Sequence, residues 1–183
     1  DTDFEDTLRT LDDLVASGKI LYPAASNFAA WQVAKGLGIA ERRGYAPFAC
    51  IQPMYNLVKR QAEVELMPLA RSEGLGVVTY SPLGGGLLSG RYGADKRPPS
   101  GRLIDNQMYT TRYGEPAYYE LAGRFVELAE REGVSPVTLA VGWVAANPAV
   151  TAPIVGGRSL EQIGPALAAG EYDMSADLYR EIA

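Results

Sequence analysis

The alternation of helix-like and strand-like segments is the feature that most restricts the fold of this chain. Apolar residues at helical spacing give way repeatedly to short β-branched or apolar runs in the first 80 residues. In chain order, we predict a helix ending at Gly18, a strand at 20–25, a helix at 29–43, a strand at 48–52, a helix at 61–73 and a strand at 77–80. This alternation is typical of parallel βα units, so the predicted class is α/β.

The second half of the chain is predicted to be mostly helical. Helices are predicted at 116–132 and 135–146, followed by a strand at 150–155, a helix capped by Ser159 and a last helix from Ser175. Between these halves, residues 91–115 form a long irregular segment with two adjacent prolines and several arginines. Segments of this kind are usually functional or mobile, so residues 91–115 are a candidate lid.

Composition excludes several classes of function. The chain has 183 residues, 47% hydrophobic, with a net charge of −5, so one domain over 1–183 is expected and nucleic acid is not. No apolar run approaches the roughly 18–20 residues of a membrane span. The single cysteine, Cys50, excludes an internal disulfide and favours a reducing compartment, so a cytoplasmic location is expected. With no histidine present, Ser-His-Asp catalysis is excluded and a zinc site is not expected.

The stretch 77–92 contains the strongest candidate for ligand binding. A short strand ends at Tyr80-Ser81-Pro82-Leu83 and is followed by three glycines, then by a serine and an arginine. Glycines let backbone N–H groups approach a ligand, and such a loop after a strand suits a phosphate. The alternative interpretation is a tight loop whose glycines only supply positive φ angles.

Polar side chains also follow the other predicted strands. Ser26 and Asn27 follow the first strand, and Gln52 ends the second. Ligands of parallel βα folds meet the carboxyl ends of the strands. These groups donate and accept hydrogen bonds, as a carboxamide requires, and the Tyr80 ring suits stacking on a heteroaromatic. Alternatively, each polar residue only closes its own turn.

A second anion site is predicted at residues 156–159, Gly-Gly-Arg-Ser, where N–H groups at a helix start lie beside the Arg158 guanidinium. Arg91 and Arg102 are candidates to join the first site. Two phosphate sites, a carboxamide pocket and an aromatic ring together describe a nicotinamide dinucleotide with a 2′-phosphate.

These motifs resemble those of the aldo-keto reductase family, and in particular of bacterial reductases related to potassium-channel β subunits. The matching segments are GKILYPAASNF at 18–28, QPMYNL at 52–57, YSPLGGGLLSGRY at 80–92 and PIVGGRSLEQI at 153–163. They occur in the family's order and spacing over nearly the whole chain. The resemblance implies a (β/α)8 TIM barrel that binds NADP(H), of which this chain supplies roughly the C-terminal half.

The resemblance also implies roles for individual residues. Ser26, Asn27 and Gln52 would hold the carboxamide, and Tyr80 would stack on the nicotinamide. The pyrophosphate would be lined by Ser81, Pro82, Leu83, Gly84 and Gly85, with Arg91 and Arg102 nearby. The adenosine end would contact Gly156, Arg158 and Gln162.

The chain departs from the family pattern at Pro23 and Ala24, which replace an apolar residue and a glycine before Ser26, at the residues for the adenine, and in the catalytic residues. Pro165 and Ala166 stand where the family has an acidic residue and an asparagine for the adenine. The family's catalytic Asp, Tyr, Lys and His all precede the position of Asp1, so no catalytic residue is assigned here. A half barrel would leave exposed strand edges, which favour pairing with another chain, including a second copy of this one.

The sequence therefore predicts an NADP(H)-dependent oxidoreductase that reduces aldehydes or ketones to alcohols. This chain would carry the cofactor-binding half and meet a small-molecule carbonyl substrate. The alternative is a regulatory module of the same fold that binds the nucleotide without turnover.

Overall fold

The computed structural model describes residues 2–183 and confirms the α/β class. The strands are β1 (Ala24–Ser26), β2 (Cys50–Gln52), β3 (Gly76–Thr79) and β4 (Ala152–Pro153). The helices are α1 (Phe4–Ala16), α2 (Ala30–Arg43), α3 (Leu66–Glu73), α4 (Arg102–Asp105), α5 (Gln107–Tyr113), α6 (Pro116–Arg131), α7 (Pro136–Ala145), α8 (Leu160–Leu167) and α9 (Ala176–Ile182). Short 3-10 helices cover Gln61–Glu63, Gly84–Ser89 and Ala168–Gly170. No helix within residues 2–183 has the length and apolar character to cross a membrane.

The chain divides into two units that alternate along the sequence. The first unit contains residues 2–54, 61–79 and 149–152, and therefore α1 to α3 and β1 to β3. The second unit contains residues 55–60, 80–148 and 153–183, and therefore α4 to α9.

The strands form one sheet in the order β1-β2-β3-β4. Strands β1 and β2 are parallel, with Ser26 opposite Gln52, and β2 and β3 are parallel, with Cys50 opposite Gly76. Thr151, just before β4, donates its N–H to the Val77 carbonyl at 2.8 Å and accepts the Val77 N–H on its hydroxyl at 3.0 Å. This parallel order brings the carboxyl ends of β1 and β2 to the same edge, as the sequence predicts.

The core of the first unit lies between the sheet and its helices. Ala25, Ile51 and Val77, one from each strand, are buried against residues of α1, α2 and α3. Gly36 of α2 lets the helix approach closely, since a Cβ there would lie 2.7 Å from the Phe48 ring. Burial of a side chain such as Ile51 or Val77 stabilises the fold by about 1.5–3 kcal/mol.

Several predicted boundaries move by a few residues. The first strand begins at Ala24 rather than 20, and Leu21 and Tyr22 are 78% and 77% exposed. Pro23 still pairs through its carbonyl, which accepts the Ala49 N–H at 2.9 Å, but it has no N–H to extend the ladder. The predicted helix at 61–73 is a 3-10 turn followed by α3, and Pro68 lies in the first turn of α3, where its missing N–H costs no helical hydrogen bond.

The second unit is organised around α7, which is apolar on all sides and buried along most of its length. Trp143 stacks between Tyr55 and Tyr179, with ring centroids 5.4 and 5.6 Å away. Helices α6 and α7 both pack against the 3-10 segment Gly84–Ser89. The glycine segment therefore packs against two helices of the second unit.

Residues 91–115 are not an irregular loop throughout, because they include α4 and α5. The Asn106 side chain caps α5 by accepting the N–H groups of Met108 and Tyr109. Asp105 accepts the Gly101 N–H at 2.8 Å, which closes the turn around α4. Since both helices are shorter than two full turns of apolar periodicity, their spacing gave no helical pattern in the sequence.

Candidate functional site

The predicted carboxamide group lies in the first unit at the ends of β1 and β2. The Ser26 hydroxyl donates to the Gln52 carbonyl at 3.0 Å, and the Asn27 side chain donates to the Ser26 hydroxyl at 3.2 Å. Ser26 and Asn27 are exposed, and Gln52 is half-buried. Within residues 2–183 the Gln52 side-chain amide has no hydrogen-bond partner. These three residues are brought together, and one of them retains an unused donor and acceptor.

Asn27 has an unusual backbone conformation. Its φ is 59°, in the left-handed region that non-glycine residues rarely adopt. Asparagine tolerates this conformation better than most residues, and it turns the chain sharply from β1 towards α2. The turn leaves the Asn27 side chain beside Ser26.

The glycine segment lies in the second unit, directly after β3. Gly84, Gly85 and Gly86 have φ values of 58°, 71° and 103°. The Gly84 N–H donates to the Ser81 carbonyl at 3.0 Å, and the Gly86 N–H donates to the Leu83 carbonyl at 3.0 Å. The Gly85 N–H has no hydrogen-bond partner among the described residues. One amide of the segment is therefore available to an anion.

The Tyr109 ring lies against Gly85, where a side chain would otherwise be. A Cβ on Gly85 would lie 2.7 Å from the Tyr109 ring, so only glycine permits this contact. Arg102 and Arg112 each have their guanidinium carbon 5.7 Å from the Tyr109 ring centroid. Arg102 therefore lies near the ring that contacts Gly85. The Arg91 guanidinium donates to the Ser100 carbonyl at 3.3 Å.

The remaining predicted residues of this loop have mixed exposure. Tyr80, Ser81 and Leu83 are half-buried, and Pro82 is buried. The Tyr80 carbonyl accepts the Tyr55 N–H at 3.2 Å. Leu83 packs with the apolar cluster of α7 and α8. Its side chain is therefore partly committed to the core.

Two residues that the sequence did not single out support the loop from beneath. Asn56, fully buried, donates from its side chain to the Ser81 carbonyl at 2.9 Å and to the Tyr113 hydroxyl at 3.1 Å. Burial raises the pKa of Tyr113 above its ordinary value near 10, while the hydrogen bond from Asn56 lowers it. Asn56 falls within the segment 52–57, but only the three-dimensional contact to Ser81 identifies its role.

The second predicted anion site precedes α8. Ser159 caps this helix by accepting the Gln162 N–H at 3.3 Å, and the Gln162 side chain accepts the Arg158 N–H at 3.1 Å. The side chain of Gln162 thus closes its own turn. The Arg158 guanidinium is exposed and has no hydrogen-bond or ion-pair partner among residues 2–183, and Gly156 is open to solvent. The site presents one unpaired cation.

Pro165 and Ala166, which replace residues of the family pattern, are structural here. The Pro165 carbonyl accepts the Thr138 hydroxyl of α7 at 2.7 Å, and Ala166 is buried beside Val141. These two positions join α8 to α7. They present no polar side chain to a ligand.

No group of three or more Cys, Asp or Glu residues within residues 2–183 lies close enough to hold a metal ion.

Burial raises the pKa values of Tyr92, Tyr113 and Tyr172 above their ordinary values. Lys59 donates to the Tyr118 hydroxyl at 3.1 Å and lies over the Tyr118 ring. This pair connects the loop after β2 to α6.

Comparison with known proteins shows an extended similarity. A sequence model of the aldo/keto reductase family matches residues 1–183. The chain is 33% identical over 183 residues to an uncharacterized oxidoreductase, YrpG, of Bacillus subtilis, covering 98% of this chain and 53% of that protein. It is 34% identical over 185 residues to aldo-keto reductase family 7 member A3 of Homo sapiens, covering 93% and 56%. It is 30% identical over 179 residues to protein tas of Escherichia coli, covering 97% and 51%. The chain spans about half the length of the curated relatives it matches.

Proposed function

Since this chain belongs to the aldo/keto reductase family, we propose that it binds NADP(H) for an oxidoreductase that reduces aldehydes and ketones to alcohols. The described sheet and helices agree with part of a (β/α)8 barrel. In this proposal the whole protein reduces the carbonyl substrate, and the residues of this chain bind the cofactor.

The observation that carries the proposal is a set of unused hydrogen-bonding groups at the predicted positions. The Gly85 N–H, the Gln52 amide and the Arg158 guanidinium have no partner within residues 2–183. Unpaired polar groups at the surface are solvated, and a ligand that replaces that water gains directed hydrogen bonds. A pyrophosphate, a carboxamide and a 2′-phosphate are the matching chemical groups.

Within each unit, the residue types present suit one part of such a cofactor. Gln52, with Ser26 and Asn27, would orient the carboxamide, and Gly85 would donate its amide to the pyrophosphate. Arg158 would pair with the 2′-phosphate. The bound nicotinamide supplies the hydride. The contribution of this chain is to hold that ring in one orientation and to neutralise phosphate charge.

A titration with NADPH tests the proposal. The native chain is mixed with NADPH, and the fluorescence of the reduced nicotinamide is followed as protein is added. Saturable enhancement with competition by NADP⁺ is expected. A folded protein, verified by circular dichroism, that gives no change at high concentration would overturn the proposal.

The alternative is a regulatory module of the same fold that binds the nucleotide without turnover. The two functions separate in an assay of the whole protein: consumption of NADPH in the presence of simple aldehydes supports the reductase, whereas tight binding without consumption over a broad aldehyde panel supports the regulatory module.

A further inference from the structure

Ser81 adopts a strained backbone in the middle of the cofactor loop. Its φ is 57°, and apart from Asn27 it is the one non-glycine residue within 2–183 with a positive φ. A single residue in the left-handed region costs on the order of 1–2 kcal/mol. Such a conformation persists only where the surrounding structure holds it.

The Ser81 carbonyl is fixed by two donors. One is the Gly84 N–H at 3.0 Å, which closes a turn over Pro82 and Leu83, and the other is the Asn56 side-chain amide at 2.9 Å. Both lone pairs of this oxygen are therefore used. Because the turn leads directly to Gly85, the orientation of the unpaired Gly85 amide depends on this carbonyl.

The Asn56 side chain has only one orientation that satisfies its neighbours. Its nitrogen faces two acceptors, the Ser81 carbonyl and the Tyr113 hydroxyl, and its oxygen accepts the Val58 N–H at 3.1 Å. Rotation of the amide by 180° would place oxygen against the Ser81 carbonyl. The backbone of Asn56 is also fixed, since it exchanges hydrogen bonds with Lys59 in both directions.

The second hydrogen bond of the Asn56 side-chain amide is to Tyr113 of α5. Tyr113 is fully buried and stacks on Tyr109 with a centroid separation of 6.4 Å. The Tyr109 ring lies on Gly85. One buried amide therefore contacts both the Ser81 carbonyl and Tyr113, whose ring stacks on the Tyr109 ring that lies against Gly85.

We propose that Asn56 is a positioning residue for the cofactor loop, holding the Ser81 turn and the Tyr113 hydroxyl so that the Gly85 amide points at the pyrophosphate of the dinucleotide. The proposal rests on the proposed function. It assigns Asn56 no contact with the cofactor itself.

The test compares two buried asparagines of the same unit in the native chain. Asn56→Ala removes the anchor. Asn147→Ala is the matched control, since Asn147 is also buried and donates to a tyrosine hydroxyl, that of Tyr55, at 2.9 Å. Dissociation constants for NADPH and for 2′-AMP, which lacks the pyrophosphate, are measured together with Tm.

We expect Asn56→Ala to raise the Kd for NADPH about tenfold or more. The Kd for 2′-AMP should change less than about twofold, because that ligand uses the site at Arg158. Asn147→Ala should lower Tm by a similar amount with little effect on either Kd. Tyr113→Phe, which keeps the bond from Asn56 to Ser81, should weaken NADPH less than Asn56→Ala does.

Three results would overturn the inference. An unchanged NADPH Kd in Asn56→Ala would exclude the positioning role while leaving NADPH binding intact. Equal loss of NADPH and 2′-AMP binding, or equal effects of Asn56→Ala and Asn147→Ala, would reduce the role of Asn56 to general stability. Failure of the unmodified chain to bind NADPH would instead remove the proposed function, and this inference with it.

Discussion

Arg158→Ala is expected to weaken binding of NADPH selectively over NADH. The two cofactors differ only by the 2′-phosphate, and the Arg158 guanidinium is exposed and unpaired within the described residues. The fold does not depend on this side chain, since the contact with Gln162 is made by the Arg158 backbone N–H. An exposed substitution of this kind should change the free energy of unfolding by less than about 0.5 kcal/mol.

The expected magnitude follows from one charge-assisted contact. A hydrogen bond to a charged group contributes about 1.5–3 kcal/mol, and solvent screening at an exposed site favours the lower end. This corresponds to roughly a tenfold rise in the Kd for NADPH. The Kd for NADH should change less than about twofold.

The assay is a fluorescence titration of each reduced cofactor at two salt concentrations. Arg124→Ala is the matched control, because Arg124 is also an exposed arginine without a partner within residues 2–183 and its removal changes net charge equally. The loss in Arg158→Ala should shrink at high salt, and Arg124→Ala should bind like the unmodified chain. Equal losses of NADPH and NADH binding, or an equal effect of Arg124→Ala, would refute the assignment of Arg158 to the 2′-phosphate.

Three further predictions concern stability. Gly36→Ala should lower the free energy of unfolding, measured by urea denaturation, by about 1–3 kcal/mol, because the new Cβ would lie 2.7 Å from the Phe48 ring. An unchanged free energy of unfolding would show that α2 and Phe48 accommodate the methyl group without destabilising the fold. Gly85→Ala should lower Tm, and adding Tyr109→Ala should recover part of the loss, since the clash is with that ring; purely additive effects would contradict this. Tyr113 has a raised folded-state pKa, so its stabilising contribution is complete below its unfolded value near 10 and is lost as pH rises from there through the folded pKa. As the pH rises above about 10, urea midpoints should thus fall more in the unmodified chain than in Tyr113→Phe, and parallel curves would contradict this prediction.

Elements set by local chemistry could be predicted from the sequence. Ser135, Ser159 and Ser175 each cap a helix with the side chain, as their positions before helical patterns indicate. The first helix, predicted to end at Gly18, is α1, which ends at Ala16 and is capped by the Asp3 carboxylate, the acceptor of the Glu5 and Asp6 N–H groups. The adjacent Thr2 is also a cap residue by type, and only the actual φ and ψ angles distinguish the two positions.

Features that depend on distant residues could not be predicted. Helix α5 is stabilised by contacts beyond its own segment; the Tyr113 hydroxyl, for instance, accepts a hydrogen bond from the Asn56 side chain at 3.1 Å. The Asn56 anchor joins positions 25 and 57 residues apart in the sequence. The roles assigned to the cofactor-binding residues remain predictions. The structure adds which of their polar atoms already form hydrogen bonds within the protein, as the Gln162 side-chain oxygen does with the Arg158 N–H.

The interleaving of the two units constrains how the protein is made. The hydrogen bonds between Val77 and Thr151 join residues 74 positions apart in the sequence. They pair the segment just before β4 with β3. During synthesis on the ribosome, β1, β2 and β3 emerge before Thr151, so Val77 lacks this hydrogen-bond partner while most of the second unit is translated. A chain stalled or truncated before residue 151 therefore exposes the free side of β3, and an unpaired strand edge of this kind is open to pairing with another chain.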